Sequence, residues 1–114
     1  MEDKLIEILE SLKYPVYRQG SVSVYPPAFF TFWNYDTPDH AYYDNNPYGT
    51  AWNFGVYFYA EDPSLAYSAI DAARTALRAA GWIVPSRGFD VTSDEPTHTG
   101  RGLNVYYLET TQEV

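Results

Sequence analysis

The chain has 114 residues, of which 46% are hydrophobic and 19% charged, with a formal net charge of −8; it is long enough for one core, short for two domains, and too apolar for a disordered chain. It contains no cysteine, which excludes disulfides, thiolate nucleophiles and cysteine zinc sites and leaves any metal to carboxylates and the two histidines, His40 and His98. The acidic balance argues against wrapping a phosphate backbone, whose affinity comes from Lys and Arg, but a surface that repels phosphate suits a smooth channel through which DNA passes.

No stretch nears the roughly 18 apolar residues of a membrane span, and the opening Met1-Glu2-Asp3-Lys4-Leu5-Ile6-Glu7 lacks the basic-then-apolar pattern of a leader. The expectation is a soluble protein made in a cytoplasm. Leu5, Ile8, Leu9 and Leu12 recur at helical spacing, so a short amphipathic helix is predicted over 2–12, stopped by Tyr14-Pro15. A short strand is expected at Val16 to Arg18, followed by a linker-like stretch from Gln19 to Pro27. Ala28 to Tyr35 is rich in rings and predicts a buried strand with Phe30 and Phe32 on one face.

Asp36 to Gly49 has the Asp, Asn, Pro and Gly content of a loop, one long enough to imply a task. From Thr50 to Ala60 the alternation predicts a central strand, with Trp52, Phe54, Val56 and Phe58 on one face and Asn53, Gly55, Tyr57 and Tyr59 on the other. Gly55 marks either a bulge or the close approach of another backbone. Asp62-Pro63 is a helix start and Gly81 a helix stop, which predicts a second helix over 63–80. Its inner face of Ala66, Ala69, Ile70, Ala73, Leu77 and Ala80 lets it lie close upon a sheet. Trp82 to Val91, interrupted by Pro85, predicts an edge or bulged strand. A polar loop at 92–100, a last strand at Leu103 to Leu108 and a frayed tail at 109–114 complete the chain. The sum is an α+β fold: a single, mostly antiparallel sheet of four to five strands with two helices on one face.

Catalytic signals are weak. Asp36, Asp39, His40 and Asp44 could meet Asp94, Glu95 and His98 around a divalent ion, but neither segment has a fixed ligand spacing. A His40 dyad with Asp39 or Asp36 lacks a visible third group, and no Gly-x-Ser-x-Gly is present. Thr99-Gly100-Arg101-Gly102 lacks the strand and helix context of a phosphate loop and reads as a hairpin turn. Arg87 and Arg101, each beside glycine, could pair with the loop carboxylates inside the chain or across a subunit boundary. The 12 tyrosines serve either a core filled with rings or a protein interface.

Tyr14-Pro-Val-Tyr-Arg-Gln-Gly20, Phe29-Phe-Thr-Phe-Trp-Asn34, Thr37-Pro-Asp-His-Ala-Tyr-Tyr-Asp44, Trp52-Asn-Phe54, Arg87-Gly-Phe-Asp-Val91 and Ser93-Asp-Glu-Pro-Thr-His-Thr-Gly-Arg-Gly102 together resemble the tail-terminator, or tail-completion, proteins of long-tailed non-contractile phages and prophages. The resemblance spans nearly the whole chain. It implies a structural virion protein at the head-proximal end of the tail, not an enzyme and without a cofactor or metal. Such a protein forms a homohexameric ring that ends tube polymerisation, binds the tail tube protein and a neck or stopper protein, and lets DNA through its lumen without specific binding; no membrane is involved.

A heterologous ring contact needs two different complementary patches on each subunit. The expected contact residues are Asp39, His40, Tyr42, Tyr43, Asp44 and Tyr48 in one segment, with Arg87, Asp94, Glu95, His98 and Arg101 in the same or an adjacent contact. Three alternatives stand beside this reading: a capsid-side neck or minor tail protein, a small metal-dependent hydrolase, and a regulatory module for a peptide or small ligand. Under the ring reading, His40→Ala and Tyr43→Ala weaken docking to tail tubes in a pull-down while the circular dichroism of the monomer stays unchanged; unfolding of either variant would put these residues in the core instead.

Overall fold

The computed structural model describes residues 1–21, 24–37, 39–43, 46–93 and 95–110, with the backbone alone at 39–43, 46–48 and 110. The elements run α1 (Glu2–Glu10), β1 (Val16–Arg18), β2 (Ala28–Asp36), β3 (Asp39–Tyr43), β4 (Asn46–Ala60), α2 (Pro63–Ala79), β5 (Phe89–Val91) and β6 (Thr99–Thr110). The sheet order is β1-β2-β4-β6-β5, with β3 also paired to β4. Every pairing is antiparallel except β1 with β2. This is the expected α+β layer, with both helices on one face.

β4 organises the sheet. Its alternation places Phe54, Val56, Phe58 and Ala60 on the helix side, all with no solvent exposure, and Trp52 packs partly buried against the same core. Phe30 and Phe32 of β2 join that face, as expected, opposite Phe58 and Val56. Rings meet edge to face there: Phe30 and Phe58 at 4.7 Å, Tyr14 and Phe58 at 4.9 Å, the arrangement favoured by the ring quadrupole. Leu103 and Val105 of β6 extend the face on the other flank.

α2 covers these rings with Ala66, Ala69, Ile70, Ala73 and Leu77, where small alanines bring the helix axis close to the strands. Ala80 is exposed, because the helix ends at Ala79 and the chain turns away at Gly81. At its start Asp62 accepts hydrogen bonds from Ser64 N at 3.0 Å and Ser64 Oγ at 2.8 Å, capping a helix that begins at Pro63. α1 inserts Leu5 and Leu9 and ends at Glu10, ahead of the predicted stop at Tyr14-Pro15. Arg18 of β1 is tied to Glu2 of α1 by an ion pair.

Three predicted boundaries are corrected. The segment 36–49 is not a loop: β2 runs to Asp36, β3 follows it, and the register Asp39↔Thr50 to Tyr43↔Asn46 makes one long hairpin with β4. At about 3.3 Å per residue, the 15 residues of β4 span about 50 Å, matching the 52 Å long axis of the molecule. Trp82 to Val91 is not one strand. Ile83 makes an isolated bridge to Tyr106, and pairing resumes only at Phe89, since Pro85 has no amide to donate. Thr99 to Gly102 is no turn; it is the first part of β6, which continues through Glu109 and Thr110 where fraying was expected. Residues 111–114 lie outside the described residues.

Hydrogen bonds from Ser64 hold the Asp62 carboxyl below its ordinary range. A carboxylate whose folded value is lowered stabilises the fold above its unfolded value of about 3.9, and that stabilisation is lost as pH falls through the folded value. Asp62→Ala therefore melts below wild type at neutral pH, and the gap closes as the pH falls well under about 4; thermal melts from about pH 7 down to about pH 2 check this, and a gap independent of pH refutes the cap.

Candidate functional site

The face of the sheet away from the helices is also apolar, and among the described residues no helix covers it. It comprises Phe29, Thr31, Trp33 and Tyr35 of β2, Tyr57 and Tyr59 of β4, Tyr106 and Leu108 of β6 and Phe89 of β5, which share one side by register. At one end two loops close over it. Phe29 is 1% exposed, ringed by Tyr25 at 5.7 Å, Tyr59 at 5.4 Å and His98 at 5.9 Å. His98 Nε2 lies 2.8 Å from the Pro26 carbonyl and Nδ1 3.0 Å from Thr97 Oγ1. A carbonyl only accepts, so Nε2 carries the proton and donates, and in the neutral ring Nδ1 accepts from the Thr97 hydroxyl. His98 thereby fastens one loop to the other.

The remainder of this face is open. Trp33 is 47%, Tyr35 46% and Leu108 43% exposed, with Ile83 and Phe89 exposed beside them. Trp33 Nε1 donates to Tyr57 Oη at 3.2 Å, which fixes both rings flat against the sheet. The space for them comes from glycines. A Cβ at Gly55 would stand 2.5 Å from Tyr57 Oη, and one at Gly102 would stand 2.6 Å from Tyr57 Cδ1. Gly55 therefore marks the close approach of side chains, neither the bulge nor the neighbouring backbone expected. Burial first, then the neighbouring Tyr57 and Asp36, push the Tyr35 phenol above its ordinary value, so it is a neutral hydroxyl at physiological pH. The face is rigid and aromatic, with Asp36 at the end of β2 as a charged neighbour, and its rings have the composition of an interface centre.

A second feature lies at the edge of α2. An open cleft of about 400 Å³ is lined by Ser64, Tyr67, Ser68, Asp71, Arg87 and Arg101. Arg101 is mostly buried, with its guanidinium 4.5 Å from the Tyr67 ring centre and Nη1 3.0 Å from Asp90 Oδ1. Arg87 is exposed and stands 3.7 Å from Asp71, too far for a hydrogen bond. Gly88 has φ 114°, and a Cβ there would stand 2.9 Å from the Gly102 carbonyl, so only glycine lets this loop press onto β6 and α2. Within one chain the partners are thus Asp90 of β5 for Arg101 and, more loosely, Asp71 of α2 for Arg87.

The backbone of Asp39, His40, Tyr42, Tyr43 and Tyr48 lies in the hairpin arm formed by β3 and the start of β4; Asp44 and Asp94 lie outside the described residues. Glu95 follows Ser93, whose Oγ accepts from its amide at 3.1 Å. The expected contact set therefore falls in three places: the arm, the arginine cleft, and the loop around His98. Among the described residues no three His, Asp or Glu side chains gather into a metal-binding group, and no helix is long and apolar enough to cross a membrane.

Sequence reasoning missed Trp33, Tyr35, Tyr106 and Leu108 as surface residues. The signal was available in Ala28 to Tyr35 and Asn53 to Tyr59, where apolar residues occupy both parities of the alternation. A strand of that kind has two apolar faces. Gly102→Ala forces the Tyr57 ring off its seat and should cost about 1–3 kcal/mol, read by urea unfolding; an unchanged midpoint would show that the ring moves freely. No protein-family model matches the chain, and no curated protein matches it.

Proposed function

We propose that the chain is a structural virion protein that forms a ring on the head-proximal end of a phage tail tube, ends tube polymerisation and joins the tail to the neck. The observation that carries this reading is the uncovered aromatic face. Trp33, Tyr35, Tyr57 and Leu108 form a preorganised apolar platform of the kind that anchors protein contacts, since rings already held in place lose little entropy on docking. The long hairpin adds a second, projecting contact element. The resemblance to tail terminators supplies the hexameric ring and the partners, namely the tube protein and a neck or stopper protein.

The reading asks for no covalent chemistry, cofactor or metal. An acidic subunit keeps the lumen from retaining DNA by repelling phosphate. The protein would be made in the host cytoplasm and act in the virion. A capsid-side neck protein would use the same kind of surface, and the partner separates the two: tail tube for a terminator, portal or adaptor ring for a neck protein.

Electron microscopy of the purified protein mixed with headless tail tubes should show rings capping one tube end. Leu108→Ser should leave unfolding free energy within about 1 kcal/mol of wild type while reducing capping severalfold. Binding to portal rings but not to tubes would replace the terminator reading with the neck reading, and binding to neither would end both.

A further inference from the structure

The cations of the chain are unevenly placed. Of the 7 Lys and Arg residues, none lies between Gln19 and Ala73, so the entire β2–β3–β4 hairpin is without positive charge. It carries Asp36, exposed at the end of β2, and Asp39 in β3. Arg74, Arg78, Arg87 and Arg101 follow on α2, the loop after it and β6, where Arg74 Nε donates to the Ser86 carbonyl at 3.2 Å and braces the loop that carries Arg87. The hairpin therefore carries carboxylates alone, whereas the four arginines of residues 61–110 stand among seven carboxylates.

These two regions cannot neutralise one another within one copy. Arg101 stands opposite Phe58, Asp36 opposite Asn53 and Asp39 opposite Thr50, so the two carboxylates lie five and eight positions away along β4, or about 17 and 26 Å at ~3.3 Å per residue. Those are about two and three screening lengths at physiological salt. Two copies placed head to tail have no such restriction. Arg87 is the receptive group: its one described ion pair, with Asp71, is long, and most of its five donors are available for a fork onto a carboxylate. Arg101, clamped between Tyr67 and Asp90, forms the fixed wall of the cleft.

We infer that the arginine cleft beside α2 receives the acidic hairpin of a second copy of this chain, with Arg87 meeting the carboxylates of Asp36 and Asp39. The contact is heterologous, joining two different patches, and so it propagates around a ring instead of stopping at a dimer. The inference rests on the ring reading above and specifies which surfaces close the ring. The aromatic face is left for a different partner, such as the tube.

The test is charge exchange, read by sedimentation velocity of the free protein and by electron microscopy on tail tubes at low and physiological salt. Arg87→Glu and the pair Asp36→Lys/Asp39→Lys should each raise the concentration needed for ring formation tenfold or more. The triple variant that combines them should recover assembly, and raised salt should weaken wild-type rings. Each variant is first checked by circular dichroism; Arg87 is exposed, so its substitution leaves the core untouched. Rings from Arg87→Glu at the wild-type concentration, or no recovery in the folded triple variant, would overturn this contact while leaving the ring intact as a reading. A wild type that forms no ring alone or on tubes would overturn the ring reading itself and this contact with it.

Discussion

The structure depends on β4 being paired on both edges over most of its length. β6 runs beside it from Gly49 to Ala60, while β2 and then β3 take the opposite edge. Because its backbone donors and acceptors are consumed on both sides, the strand stays extended well beyond the region that the helices cover. One half of β4 is therefore the floor of a core and the other half the spine of a projecting arm. The same hydrogen-bonded ladder serves stability at one end and reach at the other.

The core half is built from a close fit of unequal partners. Phe30, Phe54 and Phe58 rise from the sheet and the alanines of α2 sit over them. The opposite face repeats the idea within the sheet itself. Tyr57 and Phe89 lie over Gly102, and Trp33 lies beside Gly55, so large rings lie flat where neighbouring residues have no side chain. Flat rings with satisfied polar tips expose apolar surface without losing order, and this differs from an apolar face that is merely uncovered. The Trp33 to Tyr57 hydrogen bond turns two exposed aromatics into one fixed surface.

The elements that could be read from the sequence are those whose pattern is set by burial against the core. Trp52 to Phe58 alternates because one side is covered, and Asp62-Pro63 marks a helix start because both residues act within a single turn. The arm was misread from its composition. Its Asp, Asn, Pro and Gly content imitates a loop, and what makes it strand is pairing with β4. Thr99 to Gly102 was misread for a related reason: its glycines signal a turn locally, but they answer to Tyr57 and Tyr59 on another strand. The arginine cleft was half visible. Arg87 and Arg101 stood out beside their glycines, while Tyr67 and Asp90, which hold Arg101, are brought in only by α2 and β5.

The two edges of β4 are also acquired at different moments in the life of the chain. Tyr43 and Asn46 face one another across a very short connection, and hairpins closed by such local contacts form in roughly 1–10 μs. β6 must return past the whole of α2 to lay Val105 against Phe54 and Leu103 against Val56, a non-local closure whose entropy is lost before its contacts are gained. The hairpin thus precedes the core, and during that interval β4 has one unsatisfied edge and a bare row of phenylalanines. A nascent subunit meeting another at this stage presents the ingredients of strand exchange and aggregation, so the speed with which β6 arrives decides how many copies reach the folded state able to assemble.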